Sequence, residues 1–166
     1  MTIATTTIAM SSAAHRMGRI DLQDLNWDHR RYQRWQAYGQ SKLANALFAK
    51  ELSRRLSARA IAVNSLHPGA TRGTGLNKNV RLPLKISLSA ERLFMKPVPR
   101  GAATQTLLAA NPNVSGITGE FWSNCRIVKG NPLLEDVDLA KRLWDASNDI
   151  VARHSASPSR SLQQAA

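Results

Sequence analysis

A single cysteine, Cys125, stands in 166 residues. No intramolecular disulfide framework can form, and the chain fits a reducing, cytoplasmic setting. Cys125 itself reads as a small strand residue rather than a nucleophile. Acidic residues are scarce, with 11 Asp and Glu against 23 Lys and Arg, for a net charge of +12. No apolar run approaches the ~18 residues that a membrane-spanning helix requires. Met1–Met10 is rich in threonine and has no basic stretch, so it does not read as a secretory signal. No zinc-ligand spacing, recognition helix or RNA-module signature accompanies the positive charge, so nucleic acid is not an expected partner. Aromatic residues make up only 5% of the chain; Trp27, Trp35, Trp122 and Trp144 read as packing residues.

What is present is enough chain for one domain with a sizeable core. The positive charge is densest between Arg72 and Arg100, where seven cations face Glu91 alone. This stretch reads as a solvated basic surface, with a peripheral contact to an anionic membrane as the alternative.

Ile3–Ser12 predicts a short buried strand centred on Thr7–Met10. Residues 13–34 have no sustained period and read as a long loop with local turns. From Trp35 to Ser57 apolar residues recur at helical spacing, with Arg54 and Arg55 suited to the carboxyl-terminal end of a helix. Ile61–Leu66 reads as a second strand, stopped by His67-Pro68-Gly69. Strand, helix and strand at these lengths form a βαβ unit, whose strands are parallel. Ligands bind beyond the carboxyl ends of such strands, where Ser12 and His67-Pro68-Gly69 both fall. Further along, Pro99–Ala110 predicts a helix, Gly119–Val128 holds a last strand, and Asp136–Ala152 predicts an amphipathic helix with Leu139, Leu143, Trp144, Ile150 and Val151 on its apolar face.

The most informative segment is Tyr38-Gly39-Gln40-Ser41-Lys42. Four residues of separation place Tyr38 and Lys42 on one helix face. The ammonium can then act on the phenol, an arrangement suited to general acid–base chemistry. Read alone, the pair is also compatible with a half-buried aromatic beside a solvated lysine. Ser11 and Ser12 are equally compatible with closing a strand by local hydrogen bonds. His15 and His67 read as structural or loop residues, since nothing pairs them as metal ligands.

Taken together, Ser11-Ser12-Ala13-Ala14-His15-Arg16, Tyr38 through Asn45, His67-Pro68-Gly69 and Arg142-Leu143-Trp144-Asp145-Ala146-Ser147 resemble the short-chain dehydrogenase/reductase family, in its retinol-dehydrogenase-like branch. The resemblance implies an α/β fold: an incomplete Rossmann-like (doubly wound) parallel sheet lacking its N-terminal dinucleotide-binding strands. Residues 1–152 would form the partial catalytic domain, with a lid at about 71–97, and residues 153–166 a disordered tail. It implies hydride transfer between NADP, or NAD, and a small-molecule carbonyl or alcohol. Leu82, Leu84, Leu93 and Phe94 of the lid point to a lipophilic one.

In the roles that the resemblance implies, Ser12 hydrogen-bonds the substrate oxygen. Tyr38 is the general acid in reduction and the base in oxidation. Lys42 acts on Tyr38 by its charge and holds the nicotinamide ribose hydroxyls. The backbone of Pro68 and Gly69 lies against the nicotinamide, and Thr71 is a further cofactor contact, although Gly73 occupies the family's usual threonine slot. No metal is implied. Gly18 is the first glycine, so the family's Gly-rich phosphate-binding segment does not precede Ser12. The expectation is therefore a carboxyl-terminal catalytic half that binds its cofactor weakly. The alternative is a non-catalytic remnant acting through a partner or an anionic surface. An open sheet edge would also admit a homo-oligomer.

Overall fold

The computed structural model describes residues 5–71 and 95–155. The lid expected at about 71–97 falls almost wholly outside them, as does the tail beyond Ser155. Strand β1 (Thr5–Met10) leads through a 3-10 turn (Ala13–Met17) and a loop to helix α1 (Arg34–Arg55). Strand β2 (Ile61–His67) follows. After the undescribed segment come helix α2 (Val98–Ala110), strands β3 (Phe121–Ser123) and β4 (Arg126–Ile127), and helix α3 (Val137–Ser155).

The sheet order is β1-β2-β3-β4. β1 and β2 are parallel, in register from Thr5 opposite Ile61 to Met10 opposite Leu66. β3 joins β2 in parallel, with Ser65 opposite Phe121. β2 is the central strand, and Ala62 to Leu66 are all buried, as expected of a parallel strand covered on both faces. Its buried Asn64 is paired: the side chain donates to the Ile117 carbonyl at 2.6 Å and accepts from the Glu120 amide at 3.0 Å. β1 pairs only with β2 among the described residues, and its side chains are half-buried or exposed.

Two apolar layers sandwich the sheet. On one face Leu43, Ala46 and Leu47 of α1 meet Phe121, Leu134 and the α3 residues Leu139, Ala140 and Leu143. On the other, Leu66 and Trp122 pack with Leu108 of α2. Phe121 and Trp122 enter opposite layers because successive strand residues point to opposite faces. Helices on both faces of a mostly parallel sheet make this the expected doubly wound α/β architecture.

Two expectations need correction. Gly119–Val128, expected to hold one last strand, holds two, β3 and β4, in an antiparallel hairpin. Its two turn residues, Asn124 and Cys125, have φ of 53° and 59°, the left-handed pair that a tight hairpin turn demands. Cys125 is accordingly an exposed turn residue, not a strand residue. The last helix also runs past Ala152 to Ser155. Its apolar face is buried at Leu139 and Leu143 but not at Val151, which is 63% exposed, because α1 covers only the first turns.

Candidate active site

Because β1 and β2 are parallel and end together, Ser11, Ser12 and His67-Pro68-Gly69 emerge on the same side of the sheet. The Ser11 amide extends the ladder by donating to the Leu66 carbonyl at 2.8 Å. Its buried hydroxyl then donates to the backbone carbonyl of Lys42 at 2.7 Å. One turn further along α1, Asn45 donates to the Met10 carbonyl at 2.9 Å. The end of β1 is thus fastened to the helix turn that carries Lys42.

Two glycines bring the next segment onto the same helix. A Cβ on Gly18 would stand 2.4 Å from the Gly39 carbonyl oxygen, and one on Gly39 would stand 3.1 Å from the Ala14 carbonyl oxygen. Gly39 lies between Tyr38 and Lys42 in sequence. The absence of side chains here lets the turn after Ser12 sit directly against the catalytic-type helix segment.

Ser12 is half-buried with an extended backbone, φ −154° and ψ 161°, and caps the 3-10 turn. Its hydroxyl oxygen accepts from the Ala14 amide at 3.3 Å, which leaves its own proton available to donate. Ser11 has spent its proton on Lys42. The two serines therefore differ in function: Ser11 anchors, and Ser12 presents a hydroxyl at the strand end. Tyr38 and Lys42 are both half-buried on one face of α1, with the Lys42 ammonium 5.6 Å from the centre of the Tyr38 ring.

Beyond β2, Gly69 has φ of 89°, which a side chain would strain. The Lys96 stem and ammonium lie 3.0–3.2 Å from where a Gly69 Cβ would be. The Lys96 amide donates to the Ala70 carbonyl at 2.8 Å, and its ammonium meets the Asn124 side-chain oxygen. Thr71 donates to the Gly69 carbonyl at 3.4 Å and presses on Gly101 of α2, where a Cβ would come within 2.5 Å of its hydroxyl. The structure thus sets Ser11 and the turn after Ser12 against the α1 segment that bears Tyr38 and Lys42. It gathers Gly69, Ala70 and Thr71 around Lys96, directly after Pro68 in the chain.

Two histidines border the site. His15 is 1% exposed and stacks on Phe121, with ring centres 4.2 Å apart. Burial pulls its pKa below the ordinary value; its hydrogen bond to Ser12 opposes this, and Arg16 adds to it. His67 is shifted down as well, chiefly by burial and then by the Lys96 ammonium. Its Nδ1 is buried without a hydrogen-bond partner.

Sequence reasoning missed two supports of the site. Asn131 is buried and directs its amide nitrogen to the carbonyls of His15, Arg16 and Gly18, at 2.9, 3.3 and 3.2 Å. Its oxygen caps the following 3-10 turn at the Leu133 amide. The Asn131-Pro132 pair signals that cap, but nothing local signals the reach back to the Ser12 turn. The second support ties the loop of residues 21–30 to α1. Arg30 donates to Gln40 at 2.7 Å, Gln40 donates to the Leu25 carbonyl at 2.8 Å, and the guanidinium lies 3.9 Å over the Trp27 ring. The Arg30–Asp24 ion pair at 3.3 Å closes the knot.

Among the described residues, no group of three or more His, Cys, Asp or Glu could hold a metal ion. No described helix is long and apolar enough to cross a membrane.

No family model matches the chain. Individual relatives do. Retinol dehydrogenase 14 from Homo sapiens is 36% identical over 148 residues, covering 87% of this chain and 43% of its own length. Among solved structures, an uncharacterized protein from Mycobacterium paratuberculosis is 30% identical with a TM-score of 0.66, over 89% of this chain and 51% of that one. A short chain dehydrogenase from Salmonella enterica serovar Typhi shares the fold, with 20% identity and a TM-score of 0.51 over 75% of this chain and 43% of that one. The chain spans less than half the length of the curated relative and about half that of the mycobacterial protein.

Proposed function

We propose that this chain, which belongs to the short-chain dehydrogenase/reductase family as a partial member, carries the proton-transfer residues of an oxidoreductase. The reaction is hydride transfer between a nicotinamide dinucleotide and a carbonyl or alcohol carbon, with a lipophilic substrate. The observation that carries this reading is the docking of the Ser12 turn on the α1 segment that bears Tyr38 and Lys42.

The residues present fit the nicotinamide end of such a cofactor. Tyr38 and Lys42 share one face, Gly69 offers bare backbone at φ 89°, and both lie at the carboxyl end of the sheet. Lys42 would hold the ribose, while Pro68, Gly69 and Thr71 would line the ring. When bound, the dinucleotide supplies or accepts the hydride. Ser12 donates a hydrogen bond to the substrate oxygen and so polarises the carbonyl. In reduction Tyr38 gives its phenolic proton to that oxygen as the carbon becomes tetrahedral; in oxidation it takes the proton back. The ammonium of Lys42 offsets the charge left on Tyr38. These residues serve only one end of the cofactor, so we expect this chain to bind NADPH weakly. Calorimetry on the purified chain checks this, and micromolar affinity would contradict it.

A second reading rests on β1. Its outer edge carries backbone groups unpaired among the described residues, and such edges recruit further strands. In this reading the chain acts with a partner or a second copy. Size-exclusion chromatography decides: a stable, well-folded monomer contradicts it.

A further inference from the structure

The carbonyl of Ser12 accepts two hydrogen bonds, one from the His15 amide at 3.0 Å and one from His15 Nδ1 at 2.6 Å. A carbonyl only accepts, so Nδ1 carries the proton. In the neutral ring Nε2 is then the bare nitrogen. Nε2 is buried and without a hydrogen-bond partner, and a Cβ on Gly130 would stand 3.0 Å from it. The ring cannot swing: Phe121 stacks on one face, and Asn131 holds the His15 carbonyl at 2.9 Å. A fixed imidazole therefore fixes the Ser12 backbone, from which the Ser12 hydroxyl hangs.

From this geometry, and building on the proposed role of Ser12, we infer that His15 is a positioning residue that acts through Ser12, in its neutral Nδ1–H tautomer alone. Protonation would place a second N–H at Nε2, where no acceptor stands, and would bury a cation. The titratable groups bearing on the ring are Arg16 of its own turn and His67 at the end of β2. The residues contributed by the other packed elements, namely Phe121, Gly130 and Asn131, are uncharged. Neither neighbour would stabilise an imidazolium. The latch on Ser12 therefore loosens as the pH falls.

The test compares His15→Phe, which keeps a stacking ring but no donor, with His15→Asn, whose amide nitrogen replaces Nδ1–H. Both are made in the full chain, alone and with Ser12→Ala. NADPH-dependent reduction of a long-chain aldehyde is followed across pH, and amide exchange is read at Ala14 and His15. His15→Phe should lower kcat about 100-fold with little change in KM, and His15→Asn should restore it. His15→Phe should add no loss to Ser12→Ala, as expected of residues acting as a unit. The wild-type decline in kcat toward acid should be absent from His15→Asn. Exchange at Ala14 and His15 should quicken in His15→Phe alone, with Leu47 and Val63 unchanged. If the wild-type chain shows no turnover, the oxidoreductase reading fails, and the exchange arm still decides the latch. Unchanged exchange at Ala14 and His15, or equal quickening throughout the core, overturns the inference.

Discussion

The Ser11 hydroxyl donates to the backbone carbonyl of Lys42 across 2.7 Å, although 31 residues separate them. That bond joins the end of β1 to the turn of α1 that follows Tyr38. It divides the work between adjacent serines, one holding the site together and the other facing out of it. Ser11→Ala should cost about 1–3 kcal/mol, the penalty for losing a buried polar partner. Ser12→Ala should cost less, at the low end of about 0.5–2 kcal/mol for losing a cap, because its hydroxyl accepts only one long bond, from the Ala14 amide at 3.3 Å. Urea titration of the two variants checks the division; equal losses would contradict it.

Gly18 and Gly39 act as a close-contact pair. An added methyl at Gly18 meets the Gly39 backbone at 2.4 Å, whereas one at Gly39 meets nothing closer than 3.1 Å. Gly18→Ala should therefore cost about 1–3 kcal/mol as overpacking. Gly39→Ala should cost less, because a helical alanine recovers up to about 1 kcal/mol of backbone entropy. Thermal unfolding of the two variants gives the order directly.

Asn131 offers a sharper contrast than most buried amides. Its nitrogen faces three carbonyls, so Asn131→Asp would aim a carboxylate at acceptors. The loss should exceed that of Asn131→Ala and reach about 3 kcal/mol or more. Chemical denaturation at neutral pH measures both.

The two histidines predict the direction of acid sensitivity. His15 and His67 have folded pKa values below the ordinary 6.5, mainly through burial. Above that ordinary value both are neutral in either state, and their contribution to stability is complete. As the pH falls below it, the unfolded chain takes up protons that the folded chain resists. Stability then declines until the pH passes the lowered folded values. The urea midpoint should be lower at about pH 5 than at about pH 7.5, and replacing both histidines by Asn should flatten the difference.

Much of the placement of the candidate site was legible because it rests on local pattern. The apolar spacing of Leu43 and Leu47 predicts α1, and the runs that end at Ser12 and at Pro68-Gly69 predict parallel strands. Together these place the site at one sheet edge. What escaped depends on geometry that local sequence does not encode. The hairpin turn uses Asn124 and Cys125 at positive φ, with no glycine to signal it. The Lys96 stem reaches Gly69 from just before α2, and Asn131 reaches the Ser12 turn from beyond the hairpin. The choice of Ser12 over Ser11 came from resemblance. The hydrogen bond that occupies Ser11 adds a physical reason for it.

The most direct measurement is NADPH-dependent reduction of a long-chain aldehyde by the full chain and by its Tyr38→Phe variant. That change removes the proton donor and preserves the ring. The account predicts measurable turnover in the wild type and a loss of about 100-fold or more in the variant, as expected for removing a general acid, with unfolding midpoints that coincide. Equal rates in the two proteins would contradict it.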